Sequence, residues 1–212
     1  RRHLLAGCSS IVFIGCLSII TYHQVGFWRD SQTLFRHSIE VTKSNYYAYD
    51  TVGVELGKKG KNLEALNHFE EAIKFNPSFF RSHYNKGLAL QYLGRSGEAK
   101  KSYSEAIRIR PDHFKSYNNL GLLLEKDGNL SAVIQLYRHA LNYMPQEALI
   151  HVKLGVAYAQ AGRFDLSESE ILAAIRLKPE LAIGHYSIGR IYEMKGDFNK
   201  ALQHYIIAID IN

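Results

Sequence analysis

The stretch that decides the fold runs from His151 to Pro179, HVKLGVAYAQAGRFDLSESEILAAIRLKP. It sets Gly155 among apolar residues, follows with Gly162 and Ala174, and closes on a proline, and each of these recurs along the chain at intervals of 34 residues. All four prolines, Pro77, Pro111, Pro145 and Pro179, keep the interval. So do Gly53, Gly87, Gly121, Gly155 and Gly189, then Gly60, Gly94, Gly128, Gly162 and Gly196, then Ala72, Ala106, Ala140, Ala174 and Ala208. A period of this size belongs to stacked two-helix units, each burying its apolar face on its neighbours.

The recurring residues have physical reasons. A glycine within the first helix costs about 1 kcal/mol in helix propensity, offset if the missing Cβ lets the second helix approach. The alanine series is expected to do the same from the second helix, so that small faces small. The second glycine series suits the left-handed turn that ends a helix, after which Asp165, with Glu168 three residues on, is expected to cap the next. The prolines stop each second helix, because proline lacks the amide donor and disfavours helical geometry before it. Phe69, Tyr103, Tyr137 and Tyr205, with Ile171 in the equivalent place, read as core packing and not as a cofactor site.

These residues resemble the tetratricopeptide-repeat pattern, most clearly in Tyr117-Asn118-Asn119-Leu120-Gly121 and in His151-Val152-Lys153-Leu154-Gly155-Val156-Ala157-Tyr158. The resemblance covers Tyr46 to Asn212 and implies an all-α superhelical solenoid of antiparallel helix hairpins. Five units are expected, over 46–79, 80–113, 114–147, 148–181 and a truncated 182–212.

Working outward, Trp28 to Thr42 repeats only the second half of a unit, with Phe35 and Ser38 in the aromatic and small places. Residues 24–45 therefore read as a junction with a half-repeat. Before it, Leu4 to Tyr22 is 19 residues without a charge, about the length a helix needs to cross a bilayer's hydrocarbon core. Residues 1–23 are expected to be a transmembrane helix with a basic flank, Arg1, Arg2 and His3, and interfacial aromatics, Phe27 and Trp28, beyond its other end. A buried core helix would show a polar stripe, and a signal peptide would show a small-residue cleavage site. Arginines flank the run on both sides and leave its orientation open. At the far end, Ile206, Ile207, Ile209 and Ile211 close the sequence without a polar capping helix, so the parent is expected to continue.

No phosphate loop, zinc-spaced cysteine pair, His-Glu-x-x-His or nucleophile elbow occurs, so this segment is expected to be no enzyme and to need no cofactor. Cys8 and Cys16 lie in the apolar run, unsuited to a disulfide framework or a metal site. The net charge of +6 is scattered and forms no nucleic-acid patch. His83, His151 and His185 share one register, but with no carboxylate or cysteine partners apparent they read as partly buried core residues and not as metal ligands.

The resemblance implies a concave groove along the first helices, taking polypeptide segments of other proteins. Its candidate ligand-binding residues are Arg81, Tyr84 and Asn85 in the second unit and Lys115, Asn118 and Asn119 in the third. Asparagine amides can pair with a peptide backbone, and Arg and Lys with carboxylates. The fourth unit is expected to present Leu149 and Val152 instead. Family members that hold a C-terminal carboxylate use Lys, Asn, Asn, Lys and Arg, where this chain has Asp50, Val54, Asn85, Lys115 and Asn119. Asp50 would repel that group.

The junction Gly26-Phe27-Trp28-Arg29-Asp30-Ser31-Gln32-Thr33-Leu34-Phe35 resembles the membrane-to-repeat junction of the transmembrane and tetratricopeptide-repeat O-mannosyltransferase family. That resemblance implies extracytoplasmic repeats, in periplasm or endoplasmic-reticulum lumen, presenting acceptor proteins to an upstream catalytic part. A soluble sugar transferase with an asparagine-lined array is disfavoured by the membrane run. Two readings stand: a membrane-anchored interaction scaffold, and the acceptor-engaging part of a membrane glycosyltransferase. Because each hairpin buries its apolar face on other hairpins, deleting residues 1–22 is expected to leave a helical, cooperatively melting protein by circular dichroism.

Overall fold

A computed structural model describes Thr33 and residues 45–211. Among the described residues there are ten α-helices and no strand. Contacts divide the chain into two compact units meeting between Arg95 and Ser96. The first unit holds α1 (Tyr46–Lys58), α2 (Asn62–Phe75) and α3 (Phe80–Tyr92). The second holds α4 (Ser96–Ile109), α5 (Phe114–Lys126), α6 (Leu130–Tyr143), α7 (Ala148–Gln160), α8 (Phe164–Leu177), α9 (Ala182–Met194) and α10 (Phe198–Ile211). Within each unit every helix packs on the next, and alternate helices also touch, α1 on α3 and α7 on α9. The expected transmembrane helix and nearly all of the half-repeat lie outside the described residues. Among those described, no helix is long and apolar enough to cross a membrane.

The punctuation follows the sequence. Gly162, with φ at 71°, ends α7, and its four counterparts share this left-handed backbone. Beside it the Arg163 amide reaches back five residues to the Tyr158 carbonyl at 2.8 Å, closing a Schellman turn that satisfies the last carbonyls. The helices α2, α4, α6 and α8 each stop two residues before a proline.

The first glycine series lets the second helix approach, as expected: a Cβ on Gly155 or Gly189 would lie 3.1 or 3.2 Å from the carbonyl oxygen of Ser167 or Ala201. The series departs from the expectation only in what it faces. It faces large side chains: a Cβ on Gly53 would lie 2.6 Å from Phe69, one on Gly155 2.5 Å from Ile171, and one on Gly189 2.7 Å from Tyr205. At Gly121 the neighbour is the Tyr137 ring, wholly buried. Each of these four glycines is the floor on which a second-helix side chain sits, because a ring or a branched aliphatic chain buries far more area than a methyl group could. The alanines are buried as well, at the approach of neighbouring helices. Asp165 also departs from its expected role. Arg163 occupies the cap of α8 without a side-chain bond, and Asp165 and Glu168 instead bind Lys195 at 2.9 and 2.6 Å. The same register is bridged with opposite polarity earlier, where Lys100 pairs with Asp127.

The shared histidines tie loops to helices. His83, His151 and His185 each donate Nε2–H to the carbonyl of the proline six residues earlier, at 2.8, 3.1 and 2.9 Å. His151 Nδ1 meets Glu170 at 2.7 Å, and His185 Nδ1 meets His204 Nδ1 at 3.2 Å. Because the His185 Nε2 proton is held by Pro179, its Nδ1 accepts and His204 donates. Their ring centroids are 5.4 Å apart with the ring planes inclined by 28°. No cluster of three metal-ligating side chains occurs among the described residues.

Two outcomes follow. Gly155→Ala should destabilise by roughly 1–3 kcal/mol through overpacking, although alanine is the better helix former. Gly57→Ala, where a Cβ meets nothing within 4 Å, should stabilise by about 0.5–1 kcal/mol, both read by urea unfolding. The second concerns pH. Burial, then the neighbouring His185, lowers the His204 pKa from its ordinary 6.5, and burial lowers His113 similarly. The unfolded chain therefore takes up protons first, so this stability is present above about pH 6.5 and declines as pH falls below it. His204→Gln should make the decline in melting temperature shallower, with the His113 share remaining.

Candidate functional site

Each first helix leaves one stripe uncovered by its own packing. On α7 the buried residues Ala148, Ile150, Val152, Leu154, Gly155, Ala157 and Tyr158 occupy most of the circumference. Leu149, Lys153, Val156 and Gln160, at intervals of four, three and four, share the remaining face. The same register gives Lys115, Asn119, Leu122 and Lys126 on α5, and Ile183, Ser187, Arg190 and Met194 on α9. In the first unit it gives Tyr47, Thr51, Val54 and Lys58 on α1, and Arg81, Asn85, Leu88 and Tyr92 on α3. Water reaches Leu122, Val156, Ile183 and Met194, which are 45, 37, 46 and 52 % exposed.

Where two stripes adjoin, a cavity opens. In the first unit Val54, Lys58, Asn85, Leu88 and Tyr92, with Phe69 behind them, line about 240 Å³. In the second, Val156, Gln160, Ser187, Arg190 and Met194, with Ile171 behind them, line about 300 Å³. The two linings correspond residue for residue at three repeat lengths. A larger cavity of about 630 Å³ lies on α9 and α10 between Tyr186, Arg190, Glu193 and Tyr205.

Of the polar residues proposed from sequence, Arg81, Asn85, Asn118 and Asn119 are already held by the protein. Asp50 is wholly buried between α1 and α3, accepting from Ser82 Oγ at 2.9 Å and from Asn85 Nδ2 at 3.0 Å. Arg81 Nη2 lies 3.3 Å from its Oδ2, at ion-pair distance but without the alignment of a hydrogen bond. The Arg81 guanidinium also covers the rings of Tyr47 and Phe79, at 5.6 and 5.8 Å. Asp50 thus presents no charge to the stripe, contrary to the repulsive role expected of it. Since a carboxylate only accepts, it fixes the Asn85 amide with its nitrogen inward and its carbonyl outward.

In the second unit Asn118 donates to Asn119 at 3.3 Å, and Asn119 donates to the Tyr103 hydroxyl at 3.4 Å. Lys115 is exposed. Tyr84 and Asn118 sit one residue off the stripe, in the register that Val152 fills on α7. Val152 itself is in the core, against Ala148 and Ala174, and only Leu149 of the expected fourth-unit pair lies on the stripe. The residues missed were in the second half of each first helix: Val54, Leu88, Leu122, Val156 and Arg190. Four of them carry a signal, since apolar residues recur at Val54, Leu88, Leu122 and Val156 off the packing stripe, and Arg190 breaks that series.

Family models for the tetratricopeptide repeat match residues 53–94, 80–113, 102–135 and 152–211. None reaches the junction from Gly26 to Phe35, which, apart from Thr33, also lies outside the described residues. A comparison with curated proteins found no match. Among solved structures the chain is similar to YrrB, described as a TPR protein with an unusual peptide-binding site, at 23% identity and TM-score 0.66, covering 84% of this chain and 92% of that one. It is also similar to MamA from Desulfovibrio magneticus RS-1 at 22% identity and TM-score 0.67, covering 78% and 94%. These likenesses speak to the fold. With repeat models matching 53–135 and 152–211, more than half of its length, the chain belongs to the tetratricopeptide-repeat proteins.

Proposed function

We propose that the repeats form an interaction scaffold that holds polypeptide segments along the first-helix stripes, without chemistry of their own. The observation that carries this reading is the recurrence of one cavity, in corresponding residues, in both units. In each unit a cavity with apolar walls and a few polar groups suits an apolar side chain of an extended segment. The description of YrrB as peptide-binding supports it by analogy of fold. Asn85 offers a carbonyl to a backbone amide, while Arg81 and Tyr84, and Lys115, Asn118 and Asn119, add polar contacts at the start of the stripes.

The uncharged run at 4–22 supports attachment of this scaffold to a membrane. The junction from Gly26 to Phe35 favours a second reading, in which extracytoplasmic repeats present acceptor proteins to a membrane glycosyltransferase.

Stripe residues can be tested without touching the core. Leu122→Asp and Val156→Asp, both at exposed positions, should abolish capture of most peptides from an overlapping peptide array while leaving the melting temperature within about 2 °C, as expected of surface changes. Gln135→Asp, on a second helix, serves as the control. Peptide capture that survives both stripe substitutions would place binding elsewhere.

A further inference from the structure

We infer that the stripe of the second unit selects an acidic polypeptide segment carrying an apolar anchor residue. This rests on the groove reading above and adds the class of partner. On α5, α7 and α9 the stripe carries Lys115, Lys126, Lys153 and Arg190 and not one carboxylate, although basic and acidic residues nearly balance across the unit. Many of the unit's carboxylates are committed off the stripe: Asp127 to Lys100, Glu105 to Arg108, and Asp165 and Glu168 to Lys195.

The stripe lysines Lys115, Lys126 and Lys153 have no carboxylate partner among the described residues. Arg190 has a loose one, since Glu193 is 3.7 Å from its Nε and already accepts from the Tyr205 hydroxyl at 2.7 Å. A row of cations, three of them without a carboxylate partner, lowers the energy of an anionic ligand along its length and speeds its encounter.

The spacing of these cations says more. Arg190 lines the cavity whose walls are Val156, Ile191 and Met194, and Lys153 precedes Val156 by one helical turn. An aliphatic or aromatic side chain would fill the cavity while flanking carboxylates reach Arg190 and Lys153, with guanidinium and carboxylate able to pair in a fork. The stripe positions themselves hold no aromatic ring, and Tyr186, which also lines the cavity, packs against Tyr205 with ring centroids 5.8 Å apart, so the cavity offers a single ring and not the succession of stacking platforms that single-stranded nucleic acid uses. Polypeptide is therefore the polyanion that fits.

The test is fluorescence anisotropy with the 212-residue chain in a non-ionic detergent. The probes are four labelled peptides: one with a leucine between aspartates and glutamates, one with that leucine as alanine, one with the acids as amides, and one with the acids as lysines. The acidic leucine peptide should bind about tenfold more tightly than its amide counterpart, a gap that narrows as salt rises. It should also bind more tightly than the alanine peptide, and the lysine peptide should not bind. Lys153→Gln with Arg190→Gln should weaken the acidic peptide about tenfold and leave the amide peptide unchanged. Equal binding of acidic and amide peptides, an indifferent double variant, or no acidic binding at millimolar concentration would overturn the inference. Amide or lysine peptides bound as well as the acidic one, yet lost in Val156→Asp, would refute acidic selection and leave the groove reading standing. Acidic-peptide binding indifferent to Val156→Asp would refute the groove itself. A single-stranded oligonucleotide held more tightly than the acidic peptide, and released by the double variant, would overturn the inference in favour of nucleic acid.

Discussion

The seating of a large second-helix side chain on a first-helix backbone without a Cβ is the constraint from which the rest of this structure follows. Phe69 on Gly53, Tyr137 on Gly121, Ile171 on Gly155 and Tyr205 on Gly189 each set how near two helices come and at what rotation. Close packing leaves no freedom to rotate a helix independently of that contact. Once the glycine faces its ring, the residues on the opposite side of the first helix must face outward. The open stripe is thus a by-product of the core, and its composition is free to vary in a way the glycine is not.

This division explains what could be read from the sequence. Gly162, Pro179 and Gly155 are dictated by backbone geometry and steric room, so period and helix boundaries were legible in residue identity. What Gly155 faces was not legible, because a missing Cβ records that something is close without saying what. The candidate site was legible in half. Asn85 and Lys115 stand out as polar groups in the right register, whereas apolar side chains such as Leu88 and Val156 carry no mark that separates a groove wall from a core. Only the packed helices show that they lie off the buried face. Asp50 was misread because a charge in a groove register was taken as a charge in the groove. Buried carboxylates instead gather donors, here Ser82, Asn85 and Arg81.

The histidine register shows how polar groups are absorbed in a repeat. A proline ends each second helix, and its carbonyl has no helical donor to accept from. His83, His151 and His185 supply one. In the equivalent place Tyr117 cannot do so in the same way, and its hydroxyl meets His139 at 2.9 Å instead, with burial raising its pKa to about 12. A residue that breaks the series has found another partner for its polar end.

The two bridges of opposite polarity, Lys100 to Asp127 and Glu168 to Lys195, give the hairpins of the second unit an address. The positions between them in the same register are Ile134 and Ala161, which carry no sign. In a chain of near-identical modules, unequal recombination readily adds or drops whole repeats. A 34-residue loss that begins between Lys100 and Asp127 would set Lys100 against the neutral Ala161. A 68-residue loss beginning there would set Lys100 against Lys195, and the seam would repel itself. The charge pattern therefore disfavours losses that begin inside a bridged span, and chimeras that transplant hairpins among such proteins inherit it along with the fold.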